Sequence, residues 1–308
     1  MTDTLLGKMS KDFLLPNVML DYLIRSAPYR YKVYQIPKRS GSGMRTIAQP
    51  AREVKELQYW VIKNIFPLMV VHPTATAYMT GKNIRDNCEA HANNSYLLKL
   101  DFKDFFPSIK GDDFSHYIGN NENIQMNEAD VQKLIKILFW CPKGQAQLQL
   151  SIGAPSSPYL SNAIMYKFDS EVAQYCLPLS VNYTRYADDM TFSMQDKTNR
   201  GLILQRVLEM LNELPFPRLE INKKKTVFGS KAHRRMVTGL IISNEGEVSL
   251  GRERKRRISA QIHHFMSGKL SDGDQAKLRG MLAFARDIEP EFIRRIEKKY
   301  GHEVINRI

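Results

Sequence analysis

The stretch Tyr183-Thr-Arg-Tyr-Ala-Asp-Asp-Met-Thr-Phe192 decides how this chain is read. On either side of Asp188 and Asp189, apolar and polar residues roughly alternate, the period of β-strands. Consecutive strand residues point to opposite faces, so two adjacent acids fit a tight hairpin turn better than a regular strand. A hairpin tip that carries carboxylates at the edge of a buried sheet is a place to hold Mg²⁺, a hard cation that takes oxygen ligands. Asp is also common in solvated turns, so partners elsewhere in the chain must decide.

The nearest partner lies upstream. Ser95-Tyr-Leu-Leu-Lys-Leu-Asp101 is mostly apolar, hence a largely buried strand, and it ends in an acid. A carboxylate at the end of a buried strand is costly unless it is paired or binds a metal. Two aromatics, Phe105 and Phe106, follow closely. Asp101, Asp188 and Asp189 together suit two divalent ions about 3.5–4 Å apart, clamping the attacking and leaving oxygens of an in-line phosphoryl displacement.

Further out, Tyr31–Ile36 and Met44–Ile47 read as strands of a hairpin around the loop Pro37-Lys-Arg-Ser-Gly-Ser-Gly43. Lys38, Arg39 and Arg45 are its candidates for gripping a triphosphate. Asn87 and His91 stand four apart on a predicted helix, and so share a face. The Gly/Pro/Ser turn Ile152-Gly-Ala-Pro-Ser-Ser-Pro158 leads into a helix predicted over 159–176, where small residues allow close backbone approach. Further helices are expected over 12–30, 52–66, 128–139 and 199–214 from their apolar spacing. Residues 219–228 read as strand, basic turn and strand. Residues 236–242 and 247–250 read as a hairpin turning at Asn244-Glu-Gly246. From Gly251 onward the pattern is three helices with a basic first edge.

Composition narrows the class. The chain has 308 residues, 43% of them apolar, enough for a substantial core and too many for a disordered chain. No run reaches the roughly 18 consecutive apolar residues of a membrane span. The N-terminus has no apolar signal core, which points to the cytoplasm. Cys88, Cys141 and Cys176 have neither metal-ligand nor disulfide-framework spacing. The net charge is +13, and residues 218–308 carry 21 Lys and Arg against 11 Asp and Glu, leaving only +3 for the first 217. Such asymmetry points to a polyanion-binding end, with nucleic acid the natural partner.

Read in order, these stretches resemble a reverse transcriptase of the bacterial retron type. Arg45-Thr-Ile with Pro50 resembles the fingers motif at the incoming triphosphate. Leu98-Lys-Leu-Asp101 with Phe105-Phe106 resembles the first palm motif, Gly153-Ala-Pro-Ser-Ser-Pro158 the second, and Tyr186-Ala-Asp-Asp189 the third. Asn222-x-x-Lys225-Thr226 resembles the next palm motif. Asn87-x-x-x-His91 and Val237-Thr-Gly239 resemble two motifs typical of retron enzymes.

The resemblance implies an α+β right-hand polymerase. Residues 1–94 would form the N-terminal region and fingers, 95–250 the antiparallel-sheet palm with a fingers-contributing insertion at about 113–152, and 251–308 the helical thumb. Asp101 and Asp188 would be the main ligands of two Mg²⁺ ions, or Mn²⁺ in their place, with Asp189 the weaker ligand. Arg45, Lys38, Phe105, Phe106, Gly153, Ala154 and Lys225 would meet the nucleotide, with Phe106 gating the 2′ position of the sugar. Asn87, His91, Val237, Thr238, Gly239, Arg254, Lys255 and Arg257 would meet RNA or primer. The partners implied are dNTPs, a cognate retron noncoding RNA, the msDNA copied from it after priming at a guanosine 2′-OH, and an effector protein in antiphage defence. Ile152 departs from the Gln usual before the Gly of the second palm motif, which removes a side-chain contact. The alternatives are a reverse transcriptase of a group II intron or diversity-generating element, and a catalytically silent RNA-binding scaffold.

Overall fold

The computed structural model describes residues 4–38 and 43–308. A two-stranded hairpin comes first, β1 (Tyr31–Pro37) against β2 (Met44–Pro50), with Ile36 opposite Arg45. Arg39 and the inner part of its loop (39–42) lie outside the described residues. The central sheet is antiparallel, built from β3 (Tyr96–Asp101), β4 (Asn182–Tyr186), β5 (Asp189–Met194) and β6 (Val227–Ser230) in the order β4-β5-β3-β6. A small third sheet contains β7 (Arg235–Val237), β8 (Leu240–Ile242) and β9 (Val248–Ser249).

Alternation along β3 assigns its two faces to two cores. Leu98 and Leu100 enter the main core, with Met190, Phe192, Phe168, Val172, Ile203 and Val207. Leu97 points the other way and joins Cys88, Ala92, Val237, Leu240 and the C-terminal helices. A strand buried on both faces reads as a nearly continuous apolar run, and this one does. Placing it at the centre is therefore a direct consequence of its composition.

Several expected elements differ in detail. A helix absent from the sequence reading, Leu5–Phe13, precedes the expected one, which is Asn17–Ser26. The helix expected over 159–176 is two, Ser157–Ile164 and Tyr166–Cys176. No regular strand forms over 219–222; Ile221 makes one isolated bridge to Phe102, and Lys223–Lys225 is a 3₁₀ turn. The run 236–242 is two short strands, not one. Thr238 and Gly239 between them have φ of +47° and +81°, a two-residue hairpin turn that Thr enters only at some strain. The C-terminal helices are Arg252–Met266, Asp272–Ile288 and Pro290–Tyr300, followed by a fourth, His302–Arg307, after Gly301 at φ +93°.

The helix carrying Asn87 is Ile84–Glu89, started by a capping box between Asn83 and Asp86. Asn87 and His91, expected at the RNA, are buried in this structure, at 1% and 0% exposure, and packed inside the fold. His91 lies just past the helix and bridges two strands. Its Nδ1 is 2.8 Å from Ser193 Oγ on β5, and its Nε2 is 2.7 Å from Thr184 Oγ1 on β4. The neutral imidazole serves both hydroxyls, one nitrogen donating and the other accepting.

Burial pushes the His91 imidazole down to about 3 from 6.5, so folding excludes its proton. The unfolded chain binds that proton below about 6.5, so stability from this group is full above that pH and declines as pH falls toward 3. His91→Gln is expected to melt with a flatter pH dependence across this window than the wild type. His91→Ala, which leaves the buried Thr184 hydroxyl without its partner and Ser193 with only the Asn94 amide, should cost about 1–3 kcal/mol at neutral pH. Thermal melts of the three proteins between pH 4 and 8 check both.

Candidate active site

Strand register brings the acids together. Asp101 at the end of β3 is directly opposite Asp189 at the start of β5, and Asp189 is paired with Tyr186 on its other side. Only Ala187 and Asp188 connect β4 to β5. Ala187 takes φ +57°, the left-handed conformation that such a two-residue connection requires at its first position. The Phe102 N–H donates to Asp188 O at 3.0 Å, which binds the turn to the end of β3.

Three carboxylates at one sheet edge strain each other electrostatically. Burial, followed by repulsion from Asp101, raises the Asp188 carboxyl above the usual carboxylate range. Burial also raises Asp101; Lys225 opposes that shift and Asp189 adds to it. The Lys225 ammonium lies 2.8 Å from Asp101 Oδ1 and 2.9 Å from Oδ2. Burial works against the charge on Lys225, but Asp101 first, then Asp188 and Asp189, hold it on the amine. Both shifted acids are signs of a site that a cation would relieve.

The donor set fits Mg²⁺. Asp101 Oδ1 is buried and, though close to Lys225, makes no directed hydrogen bond. Among the described residues no three His, Cys, Asp or Glu side chains close round a point as a complete cage. An open edge of carboxylates suits a cation that keeps waters and takes substrate phosphates beside one or two protein oxygens.

A cavity of about 320 Å³ opens nearby, lined by Phe106, Gly153, Ala154, Ser151 and Tyr78 among others. The hydroxyls of Ser151 and Ser157, both on this lining, are buried without a partner. Phe106 borders the cavity; Phe105 does not. Phe105, expected to meet the nucleotide, is instead 3% exposed, stacks on Phe102 at 5.5 Å and meets Phe106 edge-on at 5.4 Å, so it supports the Phe106 ring from the core. Gly153 has φ +125°, and a Cβ there would lie 3.1 Å from both Ala48 O and Ile47 Cγ2. Its neighbour Ile152 accepts from Ala48 N–H at 2.9 Å. The close approach that demands a glycine is thus made by the β2 strand.

Arg45 is exposed on β2, close enough for its charge to lower Asp188. Lys38 closes the described end of the same hairpin through its N–H to Gly43 O at 3.0 Å. Val237 is fully buried, whereas the Thr238–Gly239 turn reaches the surface. On the thumb, Lys255 is 2.5 Å from Glu289 and over the Phe292 ring, and Arg254 lies over Phe284. Arg257 is exposed, together with Arg252 and Arg256. The expected basic edge is therefore carried by those three, and Lys255 is spent inside the bundle.

Sequence reading missed Tyr78. It is half-exposed, at φ +62°, a costly conformation for an aromatic, with its ring 6.5 Å from Tyr186. Burial and then Asp188 raise its hydroxyl, while Arg45 opposes them. Nothing in the run Ala77-Tyr-Met-Thr-Gly81 signals this, because the strain is set by tertiary contacts.

A carboxylate-edged antiparallel sheet, a fingers hairpin docked over a glycine turn and a C-terminal helical bundle define a right-hand polymerase. A telomerase from Candida albicans, solved with a fragment of telomeric RNA, shares the fold: TM-score 0.50 at 12% identity, covering 86% of this chain and 56% of that one. The chain belongs to the reverse transcriptase (RNA-dependent DNA polymerase) family, whose model matches residues 36–242, and it is an RNA-directed DNA polymerase. Within that family it is similar to the retron enzymes. It is 41% identical to the retron Ec83 reverse transcriptase of Escherichia coli over 99% of this chain and 96% of that one. It is 34% identical to the retron Ec86 enzyme of the same organism, over 98% and 92% respectively.

Gly153→Ala should strain the β2 contact. The expected result is a destabilisation of about 1–3 kcal/mol from the forced φ, with a raised KM for dNTP and a smaller change in kcat. Thermal melting and steady-state primer extension check this; an unchanged melt would mean that β2 yields freely.

Proposed function

We propose that this chain copies a cognate structured RNA into single-stranded DNA, with Asp101, Asp188 and Asp189 holding two Mg²⁺ ions at the primer end. The observation that carries the reading is the register that sets Asp101 opposite Asp189 and puts Asp188 on the adjoining turn. Bound there, the ions would activate the attacking hydroxyl and neutralise charge on the triphosphate and departing pyrophosphate.

The chain's own side chains supply the positioning. Arg45 and Lys38, on the hairpin above the acids, bind the triphosphate. Phe106, held edge-on by Phe105, closes the sugar side against a 2′-OH and so favours deoxynucleotides. Ala154 and the serine hydroxyls of the cavity meet the incoming nucleotide. Lys225 neutralises Asp101 in the free protein and stays beside the triphosphate as a second positive charge. The fingers comprise residues 1–94, the palm 95–250 with the 113–152 segment leaning toward the fingers, and the thumb 251–308.

Similarity to the retron enzymes along nearly the whole chain supports the finer reading. On that reading the template is a noncoding RNA partner, synthesis starts from a guanosine 2′-OH, and the product is a branched RNA–DNA, the msDNA. The complex works in the cytoplasm with an effector protein in antiphage defence. The Thr238–Gly239 turn and the exposed thumb arginines provide the RNA and primer contacts.

In primer extension with Mg²⁺, dNTPs and an RNA template, Asp188→Asn/Asp189→Asn should lose at least about 100-fold in rate. Equal incorporation by wild type and variant would sink the metal assignment. Arg256→Gln/Arg257→Gln should lower the slope of log affinity for the RNA against log salt by about one per phosphate contact removed. An unaltered slope in filter binding between 50 and 300 mM KCl would place this edge away from the RNA.

A further inference from the structure

Asp188 stands on a turn whose first residue, Ala187, is in the left-handed region without being glycine. Such a conformation persists only where surrounding contacts hold it. The holding contact comes from two residues back. Arg185 is wholly buried on β4, and its Nη1 donates to Ala187 O at 3.1 Å and to Asn162 Oδ1 at 3.0 Å.

The guanidinium is itself locked. Nε donates to Asp169 Oδ1 at 2.8 Å and Nη2 to Asp169 Oδ2 at 2.5 Å, a two-pronged pair with both side chains at 0% exposure. Tyr183 OH donates to the same Asp169 Oδ1 at 2.8 Å. Asn162 is fixed by its Nδ2 to Ala77 O at 2.8 Å. The Arg185 backbone is held as well, its N–H donating to Thr74 O at 2.8 Å and its carbonyl accepting from Thr76 N–H at 2.9 Å. The guanidinium carbon lies 5.9 Å from the centre of the Phe105 ring, which meets Phe106. One buried cation therefore touches the turn bearing Asp188, the two helices that follow the glycine turn, and the aromatic beneath the sugar gate.

Stability alone does not account for this arrangement, because a buried ion pair is often no better than well-packed apolar residues of the same volume. What it supplies is direction: a planar fork whose prongs cannot move independently. We propose that Arg185, locked by Asp169, is a positioning residue that fixes the Ala187–Asp188 turn and so sets where Asp188 presents its carboxylate relative to Asp101 and to the Phe106 ring. The proposal rests on the reading of Asp188 as a metal ligand.

Two variants of the full chain test it. Arg185→Lys keeps the charge beside Asp169, but a single ammonium cannot span Asp169, Asn162 and Ala187 O together. The exchange Asp169→Leu/Tyr183→Phe/Arg185→Met removes the polar network and fills its place with apolar side chains. Each is assayed by thermal melting, RNA binding and primer extension under a Mg²⁺ titration. Both are expected to bind RNA like the wild type while kcat falls about 100-fold and the apparent Mg²⁺ midpoint rises about tenfold. The dNTP KM should move by less than about threefold, since the cavity lining is untouched.

Either folded variant with kcat and Mg²⁺ midpoint within about twofold of wild type would overturn the proposal. So would a loss of rate that follows the unfolded fraction at an unshifted Mg²⁺ midpoint, which would make the network structural only. Should wild type itself fail to extend a primer under Mg²⁺, the metal-site reading falls first, an outcome separate from either of these.

Discussion

Like charges crowded into a poorly hydrated place set the terms for this fold. Asp101 and Asp189 face each other across β3 and β5, and Asp188 adjoins them. Opposed like charges weaken a strand pair, and burial magnifies the repulsion. Lys225 pairs with Asp101, and Arg45 helps to lower Asp188, but burial first and then the neighbouring carboxylates keep both acids above the usual range. Apolar packing on both faces of β3 and on one face of β5 supplies the compensating stability. The sheet thus tolerates an unfavourable electrostatic arrangement that its apolar packing offsets.

What the sequence makes legible here is whatever depends on short-range pattern. An apolar run ending in Asp101 and an Asp-Asp pair between alternating segments are local signals, and their pairing follows from antiparallel geometry. The small residues around Gly153 are legible for the same reason, although the neighbour that requires them proved to be β2. Burial of Asn87 and His91 was not legible, because the hydroxyls that satisfy His91 lie 93 and 102 residues away. Lys255 looked like one more cation on a basic edge; its partner Glu289 is 34 residues on. The turn at Thr238–Gly239 was hidden inside an apolar run that reads as one strand. Arg185 was visible as an arginine in an otherwise strand-like stretch, but its role depends on Asp169 and Asn162, which arrive from helices.

The two motifs that set this chain apart by resemblance turn out to be neighbours. Thr238 Oγ1 donates to Ile84 O at 3.1 Å, joining the β7–β8 turn to the helix that carries Asn87. Cys88 and Ala92 from that segment share a core with Val237, Leu240 and Ile242, and with Ile258, Ile262, Leu278 and Leu282 of the C-terminal helices. Asn87 accepts from Thr76 Oγ1 at 2.8 Å, and Thr76 in turn holds the Arg185 carbonyl. Motifs that sequence reading assigns to RNA form, in the fold, the joint between the catalytic sheet and the helical bundle.

That shared core bears on how the enzyme could be shortened. The bundle is not a bead on a string that can be cut away at the last strand. Ending the chain near Gly251 would strip the cover from Val237, Leu240, Ile242 and Leu250. It would leave a sticky apolar face on the back of β3, where Leu97 sits. A minimal polymerase built on this scaffold has to keep the bundle, or replace that face with polar side chains before the bundle is removed.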